Sequence, residues 1–373
     1  MKIVVTGAAG LIGWHASVQL HAQICAARFQ GQPDPLEFIA LSHNDFQTPN
    51  SLQSALKGAD AVLHFAGINR ATDEEIETGN PDIANKLVDA CKTVGCTPHV
   101  VYANSTHSAS DTPYGRSKRI AGEILAAFAP RFTDLVLPHV FGECARPFYN
   151  NVTATLIQQT IGGEAPTLNP DGRVELLHAG DAAHAAISAV INETVGQITP
   201  DAMPIKVPDL FAKIQGFHAN YLQNIFPDLS KPFDLALFNT YRAATYPDGW
   251  PRNLKLNTDV RGTLFEAAKG GGGGQTFVST TAPGVTRGNH FHLNKVERFL
   301  VLAGNAIIRI RKALSDQVWE YRVSGDQPAP VDMPTLHTHS IENVGNTPLL
   351  TLFWTHDIFD PTNPDTFADK VLQ

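Results

Sequence analysis

The order of apolar and amphipathic segments in roughly the first 140 residues constrains the fold of this chain more than any other feature. Short apolar runs, typical of buried strands, alternate there with longer segments whose apolar residues recur at helical spacing. Strands are expected at 3–6, 37–41, 61–65, 99–103 and 135–137, and helices at 11–26, 51–56, 80–94 and 117–128. This alternation predicts a parallel, doubly wound α/β sheet.

The string TGAAGLIG directly follows the first predicted strand and opens the first predicted helix. In that position Gly7 permits a tight turn, Gly10 lets a pyrophosphate approach the backbone, and Gly13 allows close packing of helix on strand. The free N–H groups at the helix start, around Leu11 and Ile12, would then face the phosphates. The pattern predicts a Rossmann-type dinucleotide site. The alternative is a helix start with packing glycines only.

The ends of the next two strands indicate which dinucleotide is bound. NAD-preferring sites place a carboxylate at the end of the second strand to hold the ribose 2′-hydroxyl. Here no acid occurs before Asp45, and His43 is placed to face a 2′-phosphate, so NADPH is favoured. His43 is otherwise an exposed loop residue. The third strand ends at His64, and the small residues Ala66 and Gly67 would let the cofactor lie against the backbone.

A YxxxK spacing joins Tyr114 and Lys118, which share one face if the segment is helical. Lys118 can then lower the pKa of the phenol and hold the nicotinamide ribose, while Tyr114 gives a proton to a carbonyl oxygen that receives hydride. Ser105, just past the fourth strand, supplies a hydroxyl to orient that carbonyl, with Thr106 as the alternative. Ser105 is otherwise a turn or helix-capping serine.

Together, TGAAGLIG, HFAG, Ser105 and YGRSK resemble the extended short-chain dehydrogenase/reductase family over roughly the first 240 residues. The resemblance implies NAD(P)-dependent hydride chemistry on a nucleotide sugar. It also implies that Ser105, Tyr114 and Lys118 form the catalytic set. Arg173, within RVELLHAGD, resembles the arginine with which this family contacts the nucleotide.

The composition changes at 238–257, where Tyr-Pro and Gly-Trp-Pro predict a linker or a domain boundary. We therefore expect an NADP-binding domain at 1–245 and a second domain at 246–373. The second region has short alternating segments with Gly and Pro turns, and the five glycines at 270–274 predict a flexible loop. Its strands are expected at 275–281, 298–302, 306–311, 318–323 and 348–354. This pattern predicts an all-β sandwich or barrel.

The stretch GVTRGNHFHLNKVERFLVLAG carries residues suited to a metal ion. His290 and His292 are two apart on a predicted strand and so point to one face, and Glu297 follows at the start of the next strand. A histidine-containing segment at 334–343 supplies a fourth ligand. Imidazole and carboxylate ligands suit zinc, and also iron, manganese or nickel. A histidine pair alone is more often a surface or packing feature.

This stretch resembles the first cupin motif, and the later segment resembles the second. In the second motif, Pro334, His339 and Asn343 match its proline, histidine and asparagine. The resemblance implies that His339 is the fourth ligand and that the domain is a jelly-roll cupin. Asp-Val-Arg-Gly around Arg261 resembles the opening strand of cupin-type deoxysugar epimerases, in which the arginine meets the nucleotide diphosphate. Arg261 otherwise forms a solvated ion pair beside a turn.

The whole chain, with YRVSGD, IENVGN and FDPTNPDT, resembles bifunctional capsular polysaccharide enzymes that fuse a reductase to a cupin. The resemblance implies C3 epimerisation of a UDP-2-acetamido-2,6-dideoxy-4-hexulose in the cupin. Reduction at C4 by NADPH then gives UDP-N-acetyl-6-deoxy-L-talosamine, on the path to N-acetyl-L-fucosamine. Two alternatives are a nucleotide-sugar 4-epimerase or dehydratase that recycles bound NAD beside a structural cupin, and a non-catalytic sugar or redox sensor.

Charge and cysteine usage limit the partners. The net charge is −8 and no basic run occurs, so nucleic-acid binding has no support. The four cysteines form no CxxC pair, which indicates a reducing compartment. No apolar run reaches the roughly 18 residues that a membrane helix needs, and no signal-peptide pattern occurs. We expect a cytoplasmic enzyme, a homodimer, that binds a UDP-sugar and contacts no membrane.

Overall fold

The computed structural model describes residues 1–372. These residues form two compact units. The first unit consists of Met1–Thr155 and Pro170–Val207. The second consists of Leu156–Asn169 and the chain from Pro208 onward. The helices are α1 (Leu11–Phe29), α2 (His43–Gln47), α3 (Pro49–Leu56), α4 (Asp73–Val94), α5 (Pro113–Phe128), α6 (Val152–Ile161), α7 (Ala179–Ile191), α8 (Val207–Leu222) and α9 (Pro232–Ala243), with a 3-10 helix at Thr106–Ala109.

The first unit is built on a parallel sheet with strand order β2-β1-β3-β4-β5-β8 and a small second sheet of order β6-β7-β9. Helices cover both faces of the larger sheet. Apolar residues of α1 and α7 pack on one face, and those of α3, α4 and α5 on the other. The predicted doubly wound α/β fold is therefore confirmed. The strands are β1 (Lys2–Thr6), β2 (Glu37–Leu41), β3 (Ala61–His64), β4 (His99–Ser105), β5 (Phe132–Leu137), β6 (His139–Phe141), β7 (Arg173–His178), β8 (Gly196–Ile198) and β9 (Met203–Lys206).

The strand order places a crevice where a dinucleotide fits. Strand β1 pairs with β2 on one side and β3 on the other, so the connections from β1 and β3 leave in opposite directions. In open α/β sheets, ligands bind outside the carboxyl ends of the strands at such a switch point. The TGAAGLIG turn and the segment after His64 both lie there, because Thr6 and His64 are directly paired at the strand ends.

The second unit contains two antiparallel sheets, of order β14-β21-β16-β19 and β18-β17-β20-β15-β22. Phe299 of the first sheet packs edge-on against His339 of the second, with ring centroids 5.6 Å apart, so side chains of the two sheets meet in one core. The predicted C-terminal all-β region is confirmed. Its strands are β10 (Ile225–Phe226), β11 (Asn257–Asp259), β12 (Gly262–Leu264), β13 (Lys269–Gly270), β14 (Gln275–Thr281), β15 (Thr286–Phe291), β16 (Glu297–Ala303), β17 (Asn305–Lys312), β18 (Val318–Ser324), β19 (Val331–Met333), β20 (His337–Asn343), β21 (Leu349–Thr355) and β22 (Phe367–Ala368).

The structure corrects the predicted linker at 238–257. Its first six residues are the buried last turns of α9, where Phe238 and Tyr241 are fully inaccessible. Helices α8 and α9 belong to the same compact unit as the two antiparallel sheets, so the continuous part of that unit begins at Pro208, about 38 residues before the predicted boundary at 245/246. Trp250, one of the residues that suggested a linker, instead packs into this unit and is 6% exposed.

A buried ionic network holds these helices on the sheets of the second unit. Arg298 on β16 makes a two-pronged contact with Asp332 on β19, at 2.5 and 2.9 Å. The hydroxyl of Tyr221 on α8 donates to the same carboxylate, and Arg242 on α9 donates to the carbonyl of Met333. Removing one partner from such a buried set leaves an uncompensated charge, which costs about 3–5 kcal/mol.

Candidate active and metal sites

The turn after β1 has the backbone geometry of a phosphate-binding turn. Gly7 has φ +67°, and a Cβ there would lie 2.7 Å from the amide nitrogen of Ala66. A Cβ on Gly13 would lie 2.2 Å from the carbonyl oxygen of Gly7. The N–H of Gly10 donates to that oxygen at 2.9 Å, which closes the turn just before Leu11 begins α1. Leu11 and Ile12 thus lie in the helix's first turn, whose N–H groups have no acceptor within the helix.

The residues after β3 face this turn through their backbone. The side chain of His64 is buried, and its Nδ1 lies 2.8 Å from the hydroxyl of Thr6. Burial, together with the charge of Lys118, lowers the pKa of His64 to about 3, so the ring is neutral. The N–H of Ala66 donates to the same hydroxyl at 3.3 Å. A cofactor contact made by this segment, which ends at Gly67, would therefore use the backbone and not the His64 ring.

His43 lies exposed at the start of α2, with Nε2 3.3 Å from Nε2 of Gln47. The nearby carboxylate of Asp45 is engaged in capping that helix. It accepts from the backbone N–H and hydroxyl of Ser42, at 2.7 and 2.9 Å, and from the hydroxyl of Ser51 at 2.7 Å. This carboxylate is therefore already committed to three protein donors.

Ser105, Tyr114 and Lys118 converge at the carboxyl end of β4. Ser105 ends that strand, and α5 begins at Pro113, so Tyr114 and Lys118 lie on one helical face. Burial raises the pKa of Tyr114, and its hydrogen bond with Ser105 opposes that rise. The phenol is therefore protonated at neutral pH, which is the form that donates a proton. The predicted Ser-Tyr-Lys grouping is thus assembled within one unit.

Lys118 is buried, and its ammonium donates to the carbonyl of Ala103 at 2.6 Å. It also lies 4.2 Å from the centroid of the Tyr102 ring. Burial lowers the pKa of Lys118 to about 7, and the carboxylate of Asp134 opposes that shift. The charge of this lysine is consequently sensitive to small changes around it, including the arrival of a ligand.

Asn80 holds the loop after β3 against α5, a role that the sequence did not reveal. Its side-chain oxygen accepts from the N–H of Ile68 at 2.9 Å, and its side-chain nitrogen donates to the carbonyl of Ile68 at the same distance. That nitrogen also donates to the hydroxyl of Ser117, one residue before Lys118. Asn80 therefore positions the segment beside Gly67 relative to α5.

The two arginines expected to contact substrate lie at exposed positions. Arg173 begins β7 and pairs across the sheet with Lys206. Arg261 lies at the tip of the β11–β12 hairpin, where its side chain is 86% exposed and contacts Asp259 at 2.5 Å. In the described chain, Arg261 thus forms the solvated ion pair that was the alternative interpretation of this motif.

His290, His292, Glu297 and His339 converge within the second unit. Their candidate ligand atoms all lie within 4.8 Å of one another. The carboxylate Oε2 of Glu297 is 3.1 Å from Nε2 of His292 and 3.3 Å from Nε2 of His339. The ring centroid of His290 is 5.0 Å from that of His292 and 4.7 Å from that of His339. This arrangement matches the donor set and spacing that a zinc-type ion requires.

The strand pairing brings these residues together from distant parts of the chain. His290 on β15 is directly paired with His339 on β20, after a register shift at Asn289. Glu297 opens β16 in the facing sheet. His290 is the most exposed of the four, while His339 is completely buried, so the cluster is open to its surroundings on the His290 side.

Backbone carbonyls orient the imidazole rings. The Nδ1 of His292 donates to the carbonyl of Asp365 at 2.6 Å, and the Nδ1 of His339 donates to the carbonyl of His337 at 3.2 Å. Both rings therefore turn Nε2 toward the centre of the cluster. A hydrogen bond from the ring nitrogen that does not face the metal fixes the tautomer and the ring orientation of a metal-binding histidine.

The charges of the cluster suit a cation. Burial would raise the pKa of Glu297, but its hydrogen bonds with His292 and His339 lower it well below the usual range. The carboxylate is therefore ionised. Burial, reinforced by the two neighbouring histidines, lowers the pKa of His290 to about 2, so this ring is neutral and has a lone pair to offer. The four residues fit a divalent transition-metal ion.

Asp365 clamps the loop that connects the ligands. Its carboxylate accepts from the N–H groups of Leu293, Asn294 and Lys295 at 2.8–2.9 Å, and its carbonyl orients His292. This aspartate lies in a Pro-rich segment with no periodic pattern, so only its place in the structure reveals its role.

We expect Asp365→Asn to weaken metal binding about tenfold or more, because the amide offers one uncharged acceptor oxygen in place of the two oxygens of the carboxylate, so the loop between His292 and Glu297 loses its charge-assisted hydrogen bonds. Chelator competition, with zinc or cobalt as the probe, measures the effect. Asp360→Asn is the matched control, since Asp360 is exposed and its carboxylate accepts hydrogen bonds from Thr362 and Asn363 within its own turn. Equal affinity of the two variants would show that Asp365 has no positioning role.

Comparisons with known proteins agree with this geometry. Residues 3–199, more than half of the chain, match the model of the NAD dependent epimerase/dehydratase family. The chain belongs to that family. It is therefore an enzyme of the epimerase/reductase type that uses a nicotinamide cofactor. Residues 257–367 match the polysaccharide biosynthesis C-terminal domain.

Two relatives match this enzyme from end to end. The UDP-2-acetamido-2,6-beta-L-arabino-hexul-4-ose reductase of Pseudomonas aeruginosa is 28% identical over 100% of this chain and 99% of its own. The crystal structure of the capsular polysaccharide assembling protein CapF from Staphylococcus aureus covers 100% of both chains, with 30% identity and a TM-score of 0.60. The predicted relationship to the bifunctional capsular polysaccharide enzymes is confirmed. Among the helices of residues 1–372, none is both long and apolar enough to cross a membrane.

Proposed function

We propose that this enzyme converts a UDP-2-acetamido-2,6-dideoxy-4-hexulose in two steps, by C3 epimerisation and then by reduction at C4 with NADPH. The product would be UDP-N-acetyl-6-deoxy-L-talosamine, a precursor of N-acetyl-L-fucosamine. The observation that carries the proposal is the presence, in separate units of one chain, of an assembled Ser-Tyr-Lys set and a convergent metal cluster. The Pseudomonas relative, named as a 4-ulose reductase, supports the substrate class.

The first unit supplies the residues for reduction. NADPH, when bound, provides the hydride that adds to C4 of the sugar. Tyr114 gives its phenolic proton to the C4 oxygen, and the hydroxyl of Ser105 holds that oxygen in place. The ammonium of Lys118 stabilises the phenolate that forms on Tyr114. The raised pKa of Tyr114 supports this direction, because a ketone reductase needs the protonated phenol.

The cofactor preference is supported at the end of β2. A 2′-phosphate would be repelled by a carboxylate directed at the ribose, but Asp45 is occupied by Ser42 and Ser51. His43 is exposed beside it and would meet the phosphate. Backbone groups of the Gly7–Gly13 turn and of Ala66 and Gly67 would hold the pyrophosphate and the adjoining part of the cofactor.

The second unit, which we propose is a cupin, supplies the site of epimerisation. The C4 ketone acidifies the proton on C3, because the resulting carbanion is delocalised into an enolate. A divalent ion held by His290, His292, Glu297 and His339 would stabilise negative charge on that oxygen. His290 lies on the open side of the cluster, where a sugar would approach. Later reduction removes the ketone and makes the inversion permanent, which sets the order of the two steps.

We also propose that the enzyme is a cytoplasmic homodimer. Arg261, at the tip of the β11–β12 hairpin, would contact the nucleotide diphosphate of the substrate. Support for a protein interface comes from apolar side chains on the second unit, since Val260, Leu264 and Val278 are all more than half exposed. Sedimentation of the purified protein measures this state directly, and a monomer at micromolar concentration would contradict it.

The decisive experiment combines both steps. The enzyme, NADPH and candidate UDP-4-keto sugars are incubated in deuterated water, and the product is analysed by NMR. The proposal requires deuterium at C3 and stoichiometric oxidation of NADPH. Deuterium exchange or isomer formation without net NADPH consumption would instead indicate an epimerase or dehydratase that recycles its cofactor.

The pKa of Lys118 predicts how reduction depends on pH. Since burial lowers that pKa to about 7 and the ammonium form is the active one, kcat/KM for NADPH should fall as pH rises through this value. Asp134→Asn removes the carboxylate that opposes the shift, so the midpoint should move to lower pH. A profile that is flat between about pH 6 and 9 would show that the charge of Lys118 is not required.

A further inference from the structure

A second cluster of metal-binding side chains lies in the first unit, outside the catalytic set. His15 is on α1, Glu143 follows β6, and His178 ends β7. The candidate ligand atoms of these residues lie within 4.8 Å of one another. Oε2 of Glu143 is 2.8 Å from Nε2 of His178 and 3.8 Å from Nε2 of His15. The two imidazole rings meet edge to face, with centroids 5.4 Å apart.

This geometry parallels that of the metal cluster in the second unit. In both, one carboxylate oxygen faces the Nε2 atoms of two histidines, at 3.1 and 3.3 Å from Glu297 and at 2.8 and 3.8 Å from Glu143. A change of less than about 1 Å in either distance would give the separation of ligand atoms around a zinc-type ion. Two imidazoles and one carboxylate are also the protein ligands of many zinc sites.

The three side chains of this cluster are buried or nearly buried, whereas most groupings of histidine and glutamate lie on the protein surface. The side chains of His15 and Glu143 are each 1% exposed and that of His178 is 10% exposed. The carboxylate of Glu143 lies between the two imidazole rings in this buried place. Taking a charged group and two imidazoles out of water is costly unless they are paired or coordinate a metal.

We propose that His15, Glu143 and His178 bind a divalent transition-metal ion of the zinc type, separate from the ion of the second unit. The backbone carbonyl of Glu143, 3.3 Å from Nε2 of His15, lies close enough to complete the coordination. The ion would be structural. It would join three parts of the first unit that are far apart in the sequence: α1, the segment after β6, and the junction of β7 with α7. The ion would make no contact with the reacting atoms in either step of the proposed reaction.

The position of His15 gives the ion a consequence for cofactor binding. His15 lies on α1 only two residues after Gly13, so a bond at His15 would fix the helical turn that receives the pyrophosphate. His15 also lies against the segment that follows β6, because a Cβ on Gly142 would be 3.2 Å from Nε2 of His15. Loss of the ion should therefore lower thermal stability and weaken NADPH binding, without removing any group that contacts the reacting atoms.

Metal content of the full-length protein tests the proposal. The wild type, stripped with a chelator, refilled with zinc and desalted, should contain two ions per chain by elemental analysis. Glu143→Gln and His290→Ala should each contain one, and the double variant none. Refilling the His290→Ala protein with cobalt should give a visible d–d spectrum that the double variant lacks. Zinc should also raise the Tm of His290→Ala, but not that of the double variant.

The opposite results would overturn the proposal. If His15, Glu143 and His178 form only a hydrogen-bonded ion pair, Glu143→Gln will lower the Tm but leave the zinc content equal to that of the wild type. His178→Gln and His15→Gln remove one ligand each from different elements, so they decide the matter if Glu143→Gln fails to fold. One zinc ion per wild-type chain, lost entirely in His290→Ala, would exclude the second site.

Discussion

Tyr114→Phe is expected to reduce NADPH oxidation with a keto sugar by about 10²–10⁴-fold, the usual contribution of a general acid. The substitution removes only the phenolic oxygen. The ring stays in its half-buried position on α5, beside the His107 ring at a centroid distance of 6.3 Å. Folding and NADPH affinity should therefore change little, and steady-state kinetics with direct cofactor titration separates these effects.

A control variant shows how unchanged turnover in Tyr114→Phe should be interpreted. Tyr321→Phe is the matched control, because it also removes one tyrosine hydroxyl. Tyr321 lies in the second unit, where its hydroxyl donates to the carbonyl of Pro247. The control should keep wild-type turnover of NADPH. If Tyr114→Phe also keeps it, the phenol is not the proton donor, and Ser105 or a water molecule must supply the proton.

Much of the first unit could be predicted from the sequence, because its signals are local. The alternation of apolar runs and helical periodicity depends only on neighbours in the chain. The roles of Gly7 and Gly13 could also be predicted, since both follow from the short turn between β1 and α1. The structure gives their physical reason, because a side chain at either position would collide with the backbone.

The starts of α4 and α5 were predicted too late, because their polar first turns carry no apolar periodicity. Helix α4 begins at Asp73, seven residues before the predicted start, behind a capping box made by Thr72 and Glu75. Helix α5 begins at Pro113, with the side chain of Thr112 capping Gly115. Both starts carried recognisable signals, namely a capping residue followed by acidic residues or by proline.

Contacts between distant segments could not be predicted from the sequence alone. The HxH spacing and the following glutamate are visible within eight residues, whereas Asp365 reaches its loop from 70 residues away. His15, Glu143 and His178 are also separated by many elements and share no motif. The burial of Phe238 was missed for a related reason, since Pro and Trp residues near it have the composition of a linker. Long-range pairing decides each of these features.

The position of α8 and α9 predicts which C-terminal fragment can fold. A fragment of residues 208–373, which keeps all of the second unit except Leu156–Asn169, should unfold cooperatively, whereas residues 246–373 should not. The shorter fragment lacks Phe226 of β10, which stacks on Trp354 with centroids 4.1 Å apart, and it also lacks Tyr221 and Arg242 of the network around Asp332. Each buried aromatic residue contributes about 1.5–3 kcal/mol, so the loss approaches the whole stability of a typical domain.

The longer fragment then tests how the two proposed activities are divided. Enolisation needs no hydride, so residues 208–373 loaded with zinc should exchange deuterium into C3 of a UDP-4-keto sugar without any nicotinamide. His290→Ala in the same fragment is the control, because it leaves the fold of the sheets but removes the ligand on the open side of the cluster. In the full-length protein, His290→Ala should still oxidise NADPH with a substrate already inverted at C3.

Exchange that persists in the His290→Ala fragment would place the epimerising group elsewhere. If instead the folded, zinc-loaded fragment shows no exchange while full-length protein does, the first unit takes part in epimerisation and the division is wrong.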